Sequence, residues 1–263
     1  MRRRNRGARV LFLRSHLLTH CPLFVLVFSH PGDRVLLRRN LRVYTTARVT
    51  RIRGAPLAPP LTLTLDAAAS LLAPGDVVEP LDAMPSSVAI EGCEFANSRA
   101  SGIVAESNNV VVEGNVLSNL SSAAIASGPY YASFGESPFG SGLSFRNNTI
   151  SNANRGHRTT AGGQWGGGAA MNVAGGSAAA TNATDLHSHV ELRGNSIEAG
   201  AGAVVSVAAT AGVVIAENVW RQNVRAAAPV QLRACSNVTM AGNECCDRSG
   251  ANCEPCPCGG ERC

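Results

Sequence analysis

The residue with the most suggestive chemical surroundings is Glu136, which lies in a segment rich in aromatic side chains. The segment Gly128–Gly140 holds two of the three tyrosines, Tyr130 and Tyr131, together with two phenylalanines and this one carboxylate. A sugar ring has an apolar face edged with hydroxyl groups, so aromatic side chains beside a carboxylate suit its recognition. The segment predicts a carbohydrate site, with Glu136 as the first candidate for a catalytic group and the tyrosines as a substrate-binding platform. The alternative is that the tyrosines only cap the fold.

Glu106 is the second candidate for a catalytic carboxylate, and Arg99 is a candidate for binding substrate. Glu106 follows the short run Gly102–Ala105, where the alternation of side chains along a strand directs it away from the core. The Arg99 guanidinium has the donors to bind a sugar hydroxyl or to pair with a carboxylate. The alternative is that both are solvated surface charges, since charged side chains are mostly exposed. A glycosidase needs two carboxyl groups, about 5 to 5.5 Å apart if it retains configuration and about 6.5 to 9.5 Å apart if it inverts.

These candidates lie within a tandem repeat that must position them. Six eight-residue segments align, and each reads as an apolar strand followed by a turn. They begin at Val88, Val110, Leu143, Val190, Val213 and Val238. Alternation turns the first, third and eighth residues of each segment inward. Repeats with steps of this length are typical of solenoids, in which each repeat forms one coil and neighbouring coils bury each other's apolar side chains.

A recurrent asparagine occupies the sixth position of the aligned segments. The position reads Cys93, Asn115, Asn148, Asn195, Asn218 and Asn243. Asparagine tolerates left-handed backbone angles, and its amide can hydrogen-bond to the equivalent turn in the next coil. We therefore expect a structural ladder of Asn115, Asn148, Asn195, Asn218 and Asn243 along the axis.

A second strand recurs in each coil, with Ile103, Ile125, Met171, Val205 and Val230 as its core positions. The sequence thus predicts an all-β protein, a right-handed parallel β-helix with a cysteine-rich C-terminal tail. We expect four segments, which are a signal-like or irregular N-terminus (1–30), a β-rich lead-in (31–86), the parallel β-helix (87–245) and the tail (246–263). Insertions between coils form loops that often lie on a binding face.

The C-terminal region is dense in cysteine. Its members are Cys235, Cys245, Cys246, Cys253, Cys256, Cys258 and Cys263. Adjacent cysteines in a Gly/Pro-rich setting are commoner in extracellular disulfide scaffolds than in zinc sites, so we expect disulfides and no metal. Zinc bound by Cys253, Cys256 and Cys258 is the alternative. Because the chain has nine cysteines, at least one must stay unpaired, with Cys21 or Cys93 as candidates.

Charge and composition exclude several classes of partner. Residues 1–60 hold 13 arginines against Asp33 alone, whereas the rest of the chain is acidic and the chain has no lysine. Nucleic-acid binding would need a basic stripe on the folded body, so we expect no nucleic-acid partner. The apolar run Cys21–Phe28 is too short to span a membrane. We expect a monomer that acts on an oligo- or polysaccharide.

The N-terminus and four sequons suggest a secretory route. Basic residues precede the short apolar run of the first thirty residues, as in a signal peptide, although His16 and His20 interrupt the pattern. The alternative is an irregular start within a longer protein. The glycosylation sequons begin at Asn119, Asn147, Asn182 and Asn237. We therefore expect a secreted or extracellular glycoprotein.

Five segments of the chain together carry a resemblance to a known family. They are Asn97–Ile103, Val110–Asn115, Ser122–Ile125, Tyr130–Glu136 and Phe145–Ile150. This part of the chain resembles the later part of the catalytic β-helix of the α-1,3-galactosidases, glycoside hydrolase family 110, within the pectin-lyase-like superfamily. It implies a glycoside hydrolase of the α-galactosidase type that acts on extracellular glycans.

The chain departs from that family at two positions of the pattern. The resemblance implies an upstream Asp-Asp motif that supplies carboxylates, and no Asp-Asp pair occurs in this chain. Ser101 stands where the family pattern has a second arginine. The alternative function is a catalytically inactive β-helix that binds glycans or serves a structural role. A pectate-lyase-like β-elimination is a weaker alternative, because it relies on calcium bound by acidic residues together with a basic residue, and no acidic cluster of that kind is visible. We therefore expect no cofactor.

Overall fold

A computed structural model describes residues 11–12, 30–39, 42–55, 58–66, 72–73, 76–82, 85–128, 140–154, 169–173, 185–199, 203–222, 229–247 and 249–256. The described residues form two compact units, one up to Pro85 and one from Ser86 onward. Strands are the regular elements of both units.

The first unit is an antiparallel sheet with the strand order β1-β4-β3-β2-β5. Its strands are β1 (Leu11–Phe12), β2 (Arg34–Arg39), β3 (Arg42–Ala55), β4 (Ala58–Leu65) and β5 (Val77–Pro80). Apolar residues on neighbouring strands form its small core, including the fully buried Val35, Leu37 and Val49. Alternating apolar residues form these strands because one face of the sheet is buried.

The arginines of β2 are paired within this unit. Their partners are carboxylates that lie on or next to β5, in the pairs Arg34–Asp82 (2.6 Å), Arg38–Glu79 (2.7 Å) and Arg39–Asp76 (2.7 Å). The Arg38–Glu79 pair is buried. Part of the positive charge of the N-terminal region is therefore compensated by the sheet itself.

The second unit contains three parallel sheets. The first sheet holds β6 (Val88–Glu91), β9 (Val110–Glu113), β12 (Ser141–Arg146), β15 (His187–Arg193), β18 (Thr210–Ala216) and β21 (Ser236–Ala241). The second holds β7 (Glu94–Ala96), β10 (Val116–Ser118), β13 (Thr149–Ala153), β16 (Ser196–Ala199), β19 (Val219–Gln222) and β22 (Glu244–Cys246), with β23 (Cys253–Pro255) added antiparallel to β22. The third holds β8 (Ile103–Val104), β11 (Ile125–Ser127), β14 (Ala169–Val173), β17 (Ala203–Ala208) and β20 (Val230–Arg233).

Successive strands along the chain alternate among the three sheets, so each turn of the chain adds one strand to every sheet. Equivalent residues of the repeat stand in register, as Val88, Val110, Leu143 and Val190 do on the first sheet. This arrangement is a parallel β-helix, and it confirms the predicted all-β fold with a cysteine-rich C-terminal region.

The structure has three strand columns where the sequence repeat suggested two. Each aligned eight-residue segment is divided by its turn into a first-sheet strand and a short second-sheet strand, as in β6 and β7. The second-sheet strands β7 and β10 have only three residues each. A strand of three residues is too short to show a clear alternation of side chains, so the sequence pattern does not distinguish it from the turn before it.

The interior of the β-helix is filled by the in-register apolar columns. On the third sheet, the predicted core column of Ile103, Ile125, Met171, Val205 and Val230 is confirmed, because each residue is no more than 4% exposed. Trp220 and Phe145 are the largest fully buried side chains. Burial of apolar area of this kind is the main favourable contribution to folding.

An inner asparagine ladder runs along the corner between the first and second sheets. Each side-chain amide donates to the Oδ1 atom of the next asparagine, over 3.0 Å from Asn115 to Asn148 and from Asn148 to Asn195, and 2.9 Å from Asn195 to Asn218 and from Asn218 to Asn243. The left-handed backbone angle lies on the residue before the ladder position, for example Gly114 and Gly194, and not on the asparagine itself. Glycine suits that position because it has no Cβ.

Candidate functional site

Two of the five residues predicted to bind or transform a substrate lie in the described part of the chain. Arg99 is exposed and Glu106 is half-buried. Along the chain, Arg99 precedes β8 and Glu106 follows it. Glu136, Tyr130 and Tyr131 lie outside the described residues. The structure therefore gives the surroundings of Glu106 and Arg99 and no geometry for the predicted carboxylate pair.

Glu106 points outward next to the end of the third sheet. Val104 and Ala126 are register partners on β8 and β11, and Glu106 and Gly128 each follow two residues later in the chain. Strand β11 ends at Ser127 and β14 ends at its register partner Val173.

The outward side chains of the third sheet become polar toward the C-terminus. The register column reads Val104, Ala126, Asn172, Ser206 and Gln231. Arg233 follows two residues after Gln231, on the same side of β20, and both are exposed. We call the outward residues Val104, Glu106, Asn172, Ser206, Gln231 and Arg233 the third-sheet face.

Asn172 differs from its neighbours on this face because it is only 3% exposed and its Oδ1 atom makes no hydrogen bond with the described residues. A buried carboxamide oxygen without a donor costs free energy, so such groups need an explanation. Sequence reasoning missed Asn172. The signal available in the sequence was a polar residue in an apolar strand, Ala169–Val173, at a position where alternation turns it outward.

A second group of charged residues lies on the outer face of the first sheet, and sequence reasoning missed it as well. We call the residues Glu113, Arg146, Glu191, Arg193 and Glu217 the charged strip. Arg146 bonds to Glu113 over 2.8 Å, and Arg193 bonds to Glu191 over 2.8 Å and to Glu217 over 2.6 Å. Ser144 donates to the other oxygen of Glu191 over 3.0 Å.

Glu191 of the charged strip is poorly suited to act as a general acid. The Arg193 guanidinium holds the pKa of Glu191 below its usual range, and the Ser144 hydroxyl acts in the same direction. Glu191 therefore stays ionised near neutral pH, whereas a general acid must carry a proton at the working pH. Each carboxylate of the strip is paired with an arginine. We therefore interpret the charged strip as a set of ion pairs that stabilises the outer face of the first sheet.

The C-terminal hairpin contains two disulfides. They join Cys245 to Cys256 and Cys246 to Cys253, and so confirm the prediction of disulfides in this region. Cys258 and Cys263 lie outside the described residues. The disulfide expected of Cys235 is not formed, because its half-buried thiol lies against the backbone carbonyl groups of Val207 and Arg233, on the β20–β21 corner. Desolvation at that place raises the pKa of the Cys235 thiol.

Three of the four sequon asparagines are exposed, and Asn182 lies outside the described residues. Asn119 belongs to an outer asparagine ladder, in which it accepts from Asn152 over 2.7 Å and donates to Asn97 over 3.2 Å. The Asn147 amide donates to Glu113. Asn119, Asn147 and Asn237 all adopt positive φ angles, which asparagine tolerates better than most residues.

Comparison with known families identifies the class of the protein. The sequence matches the family described as right handed beta helix region over residues 83–257, which is more than half of the chain. The chain therefore belongs to the right-handed β-helix family, and the described coils have the parallel sheets of that class. No curated protein matches the sequence. Among the described residues, no helix has the length and apolar character to cross a membrane.

Proposed function

We propose that this protein is a carbohydrate-active β-helix protein that binds extracellular glycans on the third-sheet face. The observation that carries the proposal is the in-register series of polar side chains at one end of that face, where Ser206, Gln231 and Arg233 are partly or fully exposed. Amide, hydroxyl and guanidinium groups are the donors and acceptors that bind sugar hydroxyls. Equivalent groups repeated on successive rungs suit a ligand that is itself a chain of similar units.

Two observations favour binding over hydrolysis, one on the carboxylates of the charged strip and one on the sequence. The carboxylates of the charged strip are occupied by Arg146 and Arg193, and the pKa of Glu191 is lowered. The sequence also lacks the Asp-Asp pair that the resemblance to glycoside hydrolase family 110 implies. Neither observation therefore supports a pair of carboxyl groups at the spacing that a glycosidase requires.

Hydrolysis of α-galactosides is the second candidate, and one observation favours it. Glu106 and Gly128 each follow a residue of one register pair by two positions, and from Gly128 the chain continues into the segment with Tyr130, Tyr131 and Glu136. Glu106 and Glu136 would then form the acid pair, with Arg99 as a substrate-binding group. This candidate rests on the resemblance of residues 97–150 to the α-1,3-galactosidases.

The test combines a glycan array with a panel of aryl and disaccharide α- and β-galactosides. We expect binding without turnover, and we expect the double variant Gln231→Ala/Arg233→Ala to weaken binding about tenfold, which corresponds to about 1.4 kcal/mol of lost hydrogen bonding. Val116→Ala is the matched control, because Val116 is exposed on the second sheet.

Other outcomes would replace the proposal. Turnover that Glu136→Gln abolishes would establish the hydrolase. Binding that the double variant leaves unchanged would place the glycan elsewhere, and the absence of both binding and turnover would leave a structural β-helix.

We also propose that the protein is secreted and glycosylated. Two disulfides and three exposed sequon asparagines, Asn119, Asn147 and Asn237, support this proposal. Enzymatic removal of N-glycans from protein expressed through a eukaryotic secretory route should lower its mass. An unchanged mass would contradict glycosylation.

A further inference from the structure

The two disulfides of the C-terminal hairpin lie in different surroundings. Cys245 and Cys256 are partly buried and pack against the hydrophobic core of the β-helix. Cys246 follows Cys245 on β22, so alternation turns it to the outer face, where its register partner is Cys253. Cys253 is exposed. Cys246 itself is only 7% exposed, so a solvent reductant reaches the Cys246–Cys253 bond at the Cys253 sulfur, whereas both cysteines of the Cys245–Cys256 bond pack against the core.

A carboxylate lies next to the outer disulfide. Glu244 precedes Cys246 by two residues on β22 and is exposed on the same side of the strand. One carboxylate oxygen of Glu244 and the Sγ atoms of Cys246 and Cys253 all lie within 4.8 Å of one another. The Glu244 side chain makes no hydrogen bond or ion pair with the described residues.

These three groups have the chemistry and spacing of a zinc site once the disulfide is open. Zinc is bound by thiolates at about 2.3 Å and by carboxylate oxygens at about 2.0 to 2.2 Å, in tetrahedral geometry. Those bond lengths place ligand atoms roughly 3.3 to 3.8 Å apart. After reduction the two Sγ atoms must therefore separate from their bonded distance, and the Glu244 carboxylate oxygen, within 4.8 Å of both, moves toward them by side-chain rotation. The β22–β23 pairing and the inner disulfide hold the backbone in place while the side chains move.

We propose that Cys246, Cys253 and Glu244 form a redox-gated zinc site. A dithiol reductant supplies two electrons and two protons, its own sulfur atoms close into a disulfide, and the Cys246–Cys253 bond opens to two thiols. Zn²⁺ then binds both sulfur atoms and the Glu244 carboxylate, and the two thiol protons pass to water. A water molecule completes the four-coordinate site. Oxidation and metal binding exclude each other, because both use the same two sulfur atoms.

The first test is the order of reduction. The full chain is titrated with a dithiol reductant, the thiols are alkylated at each step, and the modified cysteines are identified by mass spectrometry. Cys235 and Cys93 are free thiols and should be labelled without reductant. We expect Cys246 and Cys253 to be labelled at a lower reductant concentration than Cys245 and Cys256. The reverse order, or simultaneous reduction, would overturn the gating.

The second test is metal binding by the partly reduced protein after removal of the reductant. We expect Co²⁺ to give a thiolate-to-cobalt charge-transfer band that Zn²⁺ abolishes. The oxidised protein and the double variant Cys246→Ser/Cys253→Ser should give no band at this site. Glu244→Gln should weaken Zn²⁺ binding about tenfold or more, since a ligand of the metal is lost.

Glu254→Gln is the matched control, because Glu254 is exposed on β23 and is the register partner of Cys245 on the other side of the hairpin. It should leave the affinity unchanged. Absence of the band in the reduced protein, or an equal effect of the two glutamate variants, would overturn the site. A circular dichroism spectrum of the reduced protein without metal distinguishes loss of the site from unfolding of the hairpin, and an unfolded hairpin would also overturn the proposal.

Discussion

The side-chain amide of Asn195 donates a hydrogen bond to the Oδ1 atom of Asn218 over 2.9 Å, and both residues are no more than 1% exposed. The same amide donates to the carbonyl oxygen of Phe145, and the Asn195 Oδ1 atom accepts from the backbone and side chain of Asn148. One side chain thus satisfies buried groups on the coil before its own and on the coil after it.

We therefore predict that Asn195→Ala destabilises the β-helix by about 3 kcal/mol or more, because buried donors of Asn148 and the acceptor on Phe145 lose their partners. Urea unfolding followed by circular dichroism measures the change. Asn243→Ala is the comparison, since Asn243 is 8% exposed and lies at the last rung of the ladder. Its cost should be smaller, and equal costs would contradict a role for burial.

The first rung of the inner ladder offers a stabilising substitution. The backbone amide of Cys93 already donates to Asn115 Oδ1 over 2.9 Å, as the ladder asparagines do to their neighbours. Cys93→Asn adds a side-chain amide that reaches the same acceptor, so we expect a gain of about 0.5 to 1 kcal/mol in unfolding free energy. Cys93→Ser removes the exposed thiol without adding the amide. If both variants gain equally, the effect comes from loss of the thiol.

Left-handed backbone angles before the ladder positions predict two opposite effects on stability. Glu217 has a φ of 58°, and its ion pair with Arg193 is exposed to solvent. Glu217→Gly relieves the steric cost of this angle, about 1 kcal/mol, and loses an ion pair of a few tenths of a kcal/mol, so we expect a net gain. Gly194→Ala should lose about 1 to 2 kcal/mol, because Gly194 has a φ of 64° and an added Cβ would meet Asn147 Oδ1. Thermal unfolding measures both, and effects of the same sign would refute this reasoning.

Asp247 predicts a pH dependence of the C-terminal hairpin. Hydrogen bonds from Ser249 and Asn252 lower the pKa of Asp247 to about 2. Because the folded-state pKa lies below the unfolded value, the stabilisation is complete above the unfolded pKa and is lost as the pH falls through the folded pKa. The stability difference between the natural protein and Asp247→Asn should be constant from pH 7 to about 5 and shrink toward pH 2. Urea midpoints across this range provide the measurement, and a constant difference down to pH 2 would exclude the ionised carboxylate as its source.

The coils and their core could be predicted from the sequence because each coil repeats the same physical requirement. Residues such as Val110 and Leu143 must face inward on every rung, so alternation and the recurring asparagine mark the same positions again and again. The second sheet could not be predicted from the sequence, because its strands are too short to show such a repeated requirement. Strands of three residues, such as Val116–Ser118, contain too few positions for alternation to be distinguished from a turn.

The candidate site was harder to predict, because outward positions are under no common packing requirement. Arg146 and Arg193 occupy equivalent outward positions in neighbouring coils, yet their partners Glu113, Glu191 and Glu217 come from three different coils. The aligned repeat places Glu113 and Arg146 at equivalent positions of consecutive coils, where they are register partners. It does not place Glu191 or Glu217 opposite Arg193, because neither occupies the repeat position equivalent to that of Arg193.

The disulfide-bonded strand β23 has a consequence for how the protein behaves at high concentration. Its antiparallel pairing occupies the hydrogen-bonding groups on the free side of β22, which otherwise would be the unprotected edge of a sheet of six stacked strands. Exposed edges of that kind recruit strands from other molecules and can start the growth of fibrils. Opening both disulfides would free β23 to detach, and the reduced protein should then aggregate by templated strand addition at this edge more readily than the oxidised protein.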